Sequence, residues 1–196
     1  GKAPPQPAPA SGNAKPKAPE NTTETGIAFK MSEEERLKRA NGLIEEYWSQ
    51  GDLEEMLTSL VELGSAIIKP LVMKILSKYI DCAKTSLQEK LETLLKEDGI
   101  VAVLSDNVGE VQAGVQCCEY LQLLSDTVTD CRQAPEQLGT VVGHLVRANA
   151  CTTEWLLELV QTDIAINVDD LMEDQDVCIT LYNRFMDRVG TITGGK

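Results

Sequence analysis

Asp126 and Asp130, four residues apart, are the pair in this chain best suited by type and spacing to a binding role. On a continuous helix that spacing brings both carboxylates to one face, where they could straddle an arginine or lysine of a partner protein. A plainer reading stands beside it. Asp130 with Gln133 also fits a capping pattern for a following helix, and Asp126 could be a solvated surface acid.

Other reactive residue types do not assemble in the sequence. His144, the sole histidine, lies near an apolar stripe with no nucleophile or carboxylate beside it, so a structural histidine is expected. Six cysteines (Cys82, Cys117, Cys118, Cys131, Cys151 and Cys178) lack the paired spacing of a zinc site. Cys117 and Cys118 are adjacent and diverge by about 100° on a helix, which prevents joint chelation. The expectation is reduced core thiols. Residues 190–196, GTITGGK, superficially spell a phosphate-binding loop. They lack a preceding strand, a following helix and the terminal Ser or Thr, so the match is read as chance. Asp169, Asp170, Glu173, Asp174 and Asp176 form the densest acidic run. Without the glycine and spacing of a calcium loop they suit a helix start, with a second contact surface for a basic partner as the alternative. Trp48 and Trp155 fall at helical spacing and are expected to pack on the core. No catalytic residue, metal site or cofactor is expected, and the chain reads as a non-enzyme.

Charge narrows the range of partners. The first thirty residues carry four lysines against two glutamates, and the remaining residues carry a net charge of −15. Phosphate backbones and anionic lipids are repelled by such a body, so direct binding of nucleic acid or membrane by the folded part is not expected. Basic protein surfaces are the natural partners. Six of the eight prolines fall in residues 1–30 among Ala, Gly, Ser, Asn and Lys, which marks a disordered linker ahead of a helical domain at 31–196. No apolar run approaches the roughly 20 residues needed to span a bilayer, and no signal-peptide stretch opens the chain; a cytoplasmic protein is expected. A chain that opens inside a linker and stops just after a helix reads as a piece of a longer protein.

The elements that must position Asp126 and Asp130 read as helix after helix. Ser32 with Glu35 forms a capping box, followed by a stripe of Leu37, Ala40, Ile44, Tyr47 and Trp48 that Gly51 closes. Asp52 with Glu55 starts a second helix ending near Gly64. Pro70 is placed in the first turn of a third, and a fourth runs through Leu87, Leu91, Leu94 and Leu95 to a stop at Asp98 and Gly99. One helix from about Asp106 reaches the acidic pair, with fraying or bending on the way. Pro135 opens the next, and two pieces around residues 155–160 and 174–189 complete the set. Residues 100–104 and 164–168 are short apolar runs with no pairing partner, so an all-α, HEAT-like stack of antiparallel helix pairs is the economical expectation.

Residues 31–63, with Glu45-Glu46-Tyr47, Asp52, Glu55 and Glu62-Leu63, resemble the opening helix pair of the MI (MA-3) domain. Residues 112–146, from Gln112-Ala113-Gly114 through Asp126, Asp130, Ala134-Pro135 and Leu138-Gly139 to Leu145-Val146, resemble its second half. This module occurs in eukaryotic translation initiation factor 4G, in the repressor programmed cell death protein 4, and in some splicing and ribosome-assembly factors. The Ala-Pro and Leu-Gly steps look closest to plant-type 4G scaffolds. The resemblance covers residues 31–148, and the last forty or so residues look like the helices that extend the domain in 4G.

It implies a HEAT-like stack whose partner is initiation factor 4A, the DEAD-box RNA helicase, with Asp126 and Asp130 at the family's two carboxylate positions. Arg132 replaces the usual proline, and Thr127 and Thr129 replace apolar spacers, which bears on the rigidity and tilt of the pair. Two alternatives accompany this reading. One is a repressor-type MI domain that inhibits the same helicase; the other is a structural scaffold in a splicing or ribosome-assembly factor.

Overall fold

Side chains written into the sequence set the helix starts. The computed structural model describes Gly1, residues 31–82 and residues 84–194, so all but the first residue of the expected 1–30 linker lies outside the described residues. Helix α1 (Glu33–Gln50) opens on the capping box: Ser32 N–H donates to the Glu35 carboxylate at 2.8 Å, and Glu35 N–H donates to Ser32 Oγ at 3.3 Å. It closes at Gly51, whose φ of 76° is the left-handed conformation that side-chain-bearing residues avoid. Asp52 caps α2 (Leu53–Leu63) by accepting from Glu55 N–H at 3.0 Å. A 3-10 turn, Ser65–Ile67, leads into α3 (Ile68–Asp81), with Pro70 in its first turn.

The chain continues through α4 (Thr85–Leu94), α5 (Asp98–Asp106), α6 (Val108–Gln116), α7 (Glu119–Gln122), α8 (Leu124–Asp130), α9 (Ala134–Arg147), α10 (Thr153–Asp169) and α11 (Gln175–Thr193). No strand occurs among the described residues, and the protein is all-α. Both apolar runs that could have suited strands are helical. Ile100 and Leu104, four apart, bury one face of α5, and the other run lies within α10.

The sequence reading departs from the fold at three places. Asp98 and Gly99 do not stop a helix; they begin α5, after α4 has ended at Leu94. The single helix expected from Asp106 to the acidic pair is three helices, broken at Cys117 and Leu123. Side chains bond to backbone carbonyls around those breaks. Gln122 Nε2 donates to Gln116 O at 2.6 Å, and the Thr127 hydroxyl lies 3.0 Å from Tyr120 O and 2.9 Å from Leu123 O. Such partners offset much of the cost of interrupting a helix in a buried place. Finally, α10 begins at Thr153 and continues to Asp169, well beyond the expected 155–160.

The closest helix pair is α9 with α11. Contacts between them join Glu136 to Arg184, Thr140 to Arg188 and Gly143 to Ile192, so the two helices run in the same direction. Helix α10 supplies the return leg and packs on α11 as an antiparallel hairpin, with Asn167 reaching Tyr182. A Cβ on Gly139 would lie 2.5 Å from Phe185 O, and one on Gly143 would lie 2.7 Å from Ile192 Cβ. These glycines form a notch that lets the backbones approach, as small residues spaced four apart do wherever helices pack closely. Helix α3 occupies the middle of the molecule, against α1, α6 and α9. No single helix among the described residues is long and apolar enough to cross a membrane.

Candidate protein-docking site

Helix α8 carries Asp126 near its start and Asp130 as its last residue. Leu124 and Thr127 are buried and Val128 packs against the core, which turns residues 126, 129 and 130 to solvent. Both aspartates are exposed, and neither carboxylate makes a hydrogen bond or ion pair with a described residue. Helical geometry sets them about 40° apart around the axis and ~6 Å apart along it. The alternative capping role is not formed: α9 has Gln133 at its N-cap with no side-chain hydrogen bond, and Pro135 occupies its first turn. Asp130 is thus left free of the backbone.

Arg132 lies in a turn held from elsewhere. Arg184 on α11 forks onto Glu136, with Nε to Oε1 at 2.8 Å and Nη2 to Oε2 at 2.9 Å, and Nη2 also donates to Arg132 O at 2.8 Å. This charge-assisted clamp restrains the turn after Asp130, as a proline would by fixing its own φ. Ser125, next to Asp126, donates its hydroxyl to the Glu173 carboxylate across to the α10–α11 loop.

The acidic run after α10 has two roles. Asp174 caps α11 by accepting from Asp176 N–H at 2.9 Å and Val177 N–H at 3.2 Å, and Glu173 also accepts from the Cys178 thiol at 3.3 Å. Asp169 and Asp170 are exposed. Within the same stretch Leu171 and Met172 are exposed at 48% and 86%, and Leu123, at the α7–α8 junction, at 39%. The sequence reading passed over these three. Its available signal was an apolar pair set between acids in a turn, where burial would have predicted polar residues.

Behind this surface lies a buried polar cluster. Asn167, on α10, donates to Gln122 O at 3.0 Å and to Asp163 O at 2.7 Å, while the Tyr182 hydroxyl donates to Leu121 O at 2.8 Å. Asp163 is buried, its Oδ2 has no hydrogen-bond partner, and burial pushes its carboxyl up to about 6. Burial likewise raises the Cys118 thiol to about 11, with Asp163 adding to the effect.

The remaining reactive types are accounted for by packing. His144 is buried with its Nε2 3.7 Å from Glu92 Oε2, a carboxylate that sequence alone did not place beside it. Burial, then the Lys96 ammonium, lowers the His144 pKa against the opposing pull of Glu92. Burial works against the ionised form of Glu92, but the Tyr79 hydroxyl at 2.7 Å and Lys96 together hold its pKa below the ordinary carboxylate value. All six cysteines are free; Cys118, Cys151 and Cys178 are buried, whereas Cys82, Cys117 and Cys131 are half-buried. No group of three or more His, Cys, Asp and Glu that could hold a metal gathers among the described residues. Residues 190–193, the start of the phosphate-loop-like string, form the last turn of α11, and Gly194 is its left-handed cap. Trp48 and Trp155 are half-buried against the core, and Lys78 covers the Trp48 ring at 5.0 Å while pairing with Glu45. Comparison with protein-family models, with curated proteins and with solved structures finds no match for this chain.

Proposed function

We propose that this protein is a non-enzymatic adaptor domain of the MI type that docks a DEAD-box RNA helicase of the initiation factor 4A class within a translation initiation scaffold in the cytoplasm. One observation carries the reading: two unpartnered carboxylates, Asp126 and Asp130, stand exposed on one face of a short helix whose other face is anchored in the core. In this mechanism the acidic body steers a basic partner into encounter, and the pair then grips Arg or Lys at short range. The parallel pairing of α9 with α11 and the antiparallel α10–α11 hairpin support a HEAT-like stack.

The test is a titration of purified helicase with wild-type chain and with Asp126→Lys/Asp130→Lys. The double variant should bind about tenfold or more weakly at low salt, a gap that narrows at high salt as exposed charges are screened. Equal affinity of the two proteins at low salt would sink the reading. An RNA-dependent ATPase assay then separates the adaptor, which should stimulate the helicase, from the repressor alternative.

A further inference from the structure

The loop that joins α10 to α11 is pinned in place yet turns its apolar side chains outward. Asp170 N–H donates to Ile166 O at 2.8 Å, and Glu173 N–H donates to Asn167 O at 3.1 Å. The Glu173 carboxylate takes the Ser125 hydroxyl, and Asn167 is itself tied to Gln122 O. These bonds hold the loop against the α7–α8 segment, one residue away from Asp126. Leu171 and Met172 nevertheless face water, Met172 at 86% exposure, the largest value for any large apolar side chain described. Leu123, at the start of α8, is also exposed.

Solvated acids alone would need no explanation. Apolar side chains fixed in water by a bonded loop do, because each gives up burial that a polar residue would not miss. Charge states what covers them. Neither α8 nor residues 169–174 contain a lysine or arginine, whereas Asp126 and Asp130 on α8 and Asp169 and Asp170 beside the loop are all exposed. A second copy of this chain would bring like charge to the same rim, and phosphate-bearing polymers or anionic lipids would meet the same repulsion. A cationic protein segment is attracted.

We infer that Leu123, Leu171 and Met172 form the apolar centre of a docking surface that spans α8 and the α10–α11 loop, and that its occupant is a basic protein segment carrying an apolar side chain among its Arg or Lys residues. The inference rests on the proposed function and deepens it: the helicase would be gripped by the C-terminal helices as well as by α8. Methionine suits the role, since its unbranched, polarisable side chain adapts to the shape presented to it. In such an interface the buried apolar contacts supply affinity, while the surrounding charges set encounter rate and orientation.

The experiment is calorimetric titration of the 196-residue chain with the purified helicase at low and high salt, comparing wild type, Asp126→Lys/Asp130→Lys and Leu171→Ser/Met172→Ser. Leu171→Ser/Met172→Ser should weaken binding by about tenfold at both salt concentrations, as loss of a central apolar contact does, without shifting the unfolding midpoint. The lysine variant, Asp126→Lys/Asp130→Lys, should lose affinity chiefly at low salt. If the serine variant binds within about twofold of wild type while the lysine variant fails, the inference falls and the docking role of α8 stands. No binding by wild type removes both. Self-association of the wild type that the serine substitutions abolish, read by sedimentation, would assign the surface to a second copy and overturn the inference.

Discussion

The α9–α11 interface and the surface formed by α8 with the α10–α11 loop lie at opposite ends of α11 in character. In the first, backbones meet over Gly139 and Gly143, and the seam is fastened by Arg184 on Glu136 and Arg188 on Thr140. In the second, carboxylates without partners and fixed apolar side chains face water. One region satisfies its groups internally; the other leaves them available. Stability should therefore respond to changes in the first and hardly to changes in the second, whereas binding should follow the reverse pattern wherever the fold survives.

The strongest attempt to break that contrast is Gly139→Ala. Its new Cβ would stand 2.5 Å from a backbone oxygen of α11, which a side-chain rotation cannot relieve. We expect a loss of about 3 kcal/mol in urea unfolding, as for overpacking of a tight interface. A loss below about 0.5 kcal/mol would show that the helices separate readily and that the interface is not the stabilising region.

Asp163→Asn sharpens the comparison from beneath the exposed surface. The folded pKa of Asp163 lies near 6, above the ordinary 3.8, so the native state binds this proton more tightly than the unfolded chain does. The resulting contribution is full below pH ~4 and is lost as pH rises through ~6, for a total of roughly 3 kcal/mol, about two thirds of it between pH 4.5 and 7.5. Relative to wild type, the asparagine variant should gain stability between pH 4.5 and 7.5 by on the order of that amount. A stability difference that stays flat with pH would mean that Asp163 is not held unpaired in the fold.

Arg184→Ala removes the clamp from a partly exposed site, and solvent screening limits its effect to about 1 kcal/mol, read as a lower unfolding midpoint. Its second effect joins the two regions, since the turn after Asp130 loses its tie to α11 and helicase affinity should fall along with stability. At the smallest end, Asp126→Lys/Asp130→Lys should leave stability within ~0.5 kcal/mol of wild type, as exposed substitutions away from special contacts do. A large loss would show that these carboxylates serve the fold rather than a visitor.

Local starts and stops were legible because the residues that make them are close in sequence. Ser32 with Glu35, Asp52 with Glu55, Gly51 and Pro135 each act within one turn, and each acts where its type indicates. The extent of α10 was hidden for an identifiable reason. Its buried stripe runs Leu156, Leu159, Val160, Asp163 and Asn167, and two polar residues on the inward face erase the apolar period beyond residue 160. The breaks around α7 were similarly obscured, because Val111, Val115, Cys118, Leu121 and Leu124 keep a continuous helical period across them. The acidic pair could be picked out by spacing. Its apolar neighbours Leu171 and Met172 could not be assigned to the same surface, since the bond that brings them there joins Ser125 to Glu173 across 48 residues. The glycine notch could not be read either, since its partner α11 lies about as far along the chain.

The donors that reach Leu121 O and Gln122 O come from Tyr182 and Asn167, both well beyond the end of α9. A version trimmed after α9 would expose the bare glycine flank of that helix and strip two interior carbonyls of their protein donors. The shortest span that retains these bonds and the Val189 end of the core runs past residue 189. A boundary at residue 148 would cut away the helix against which α9 packs most closely.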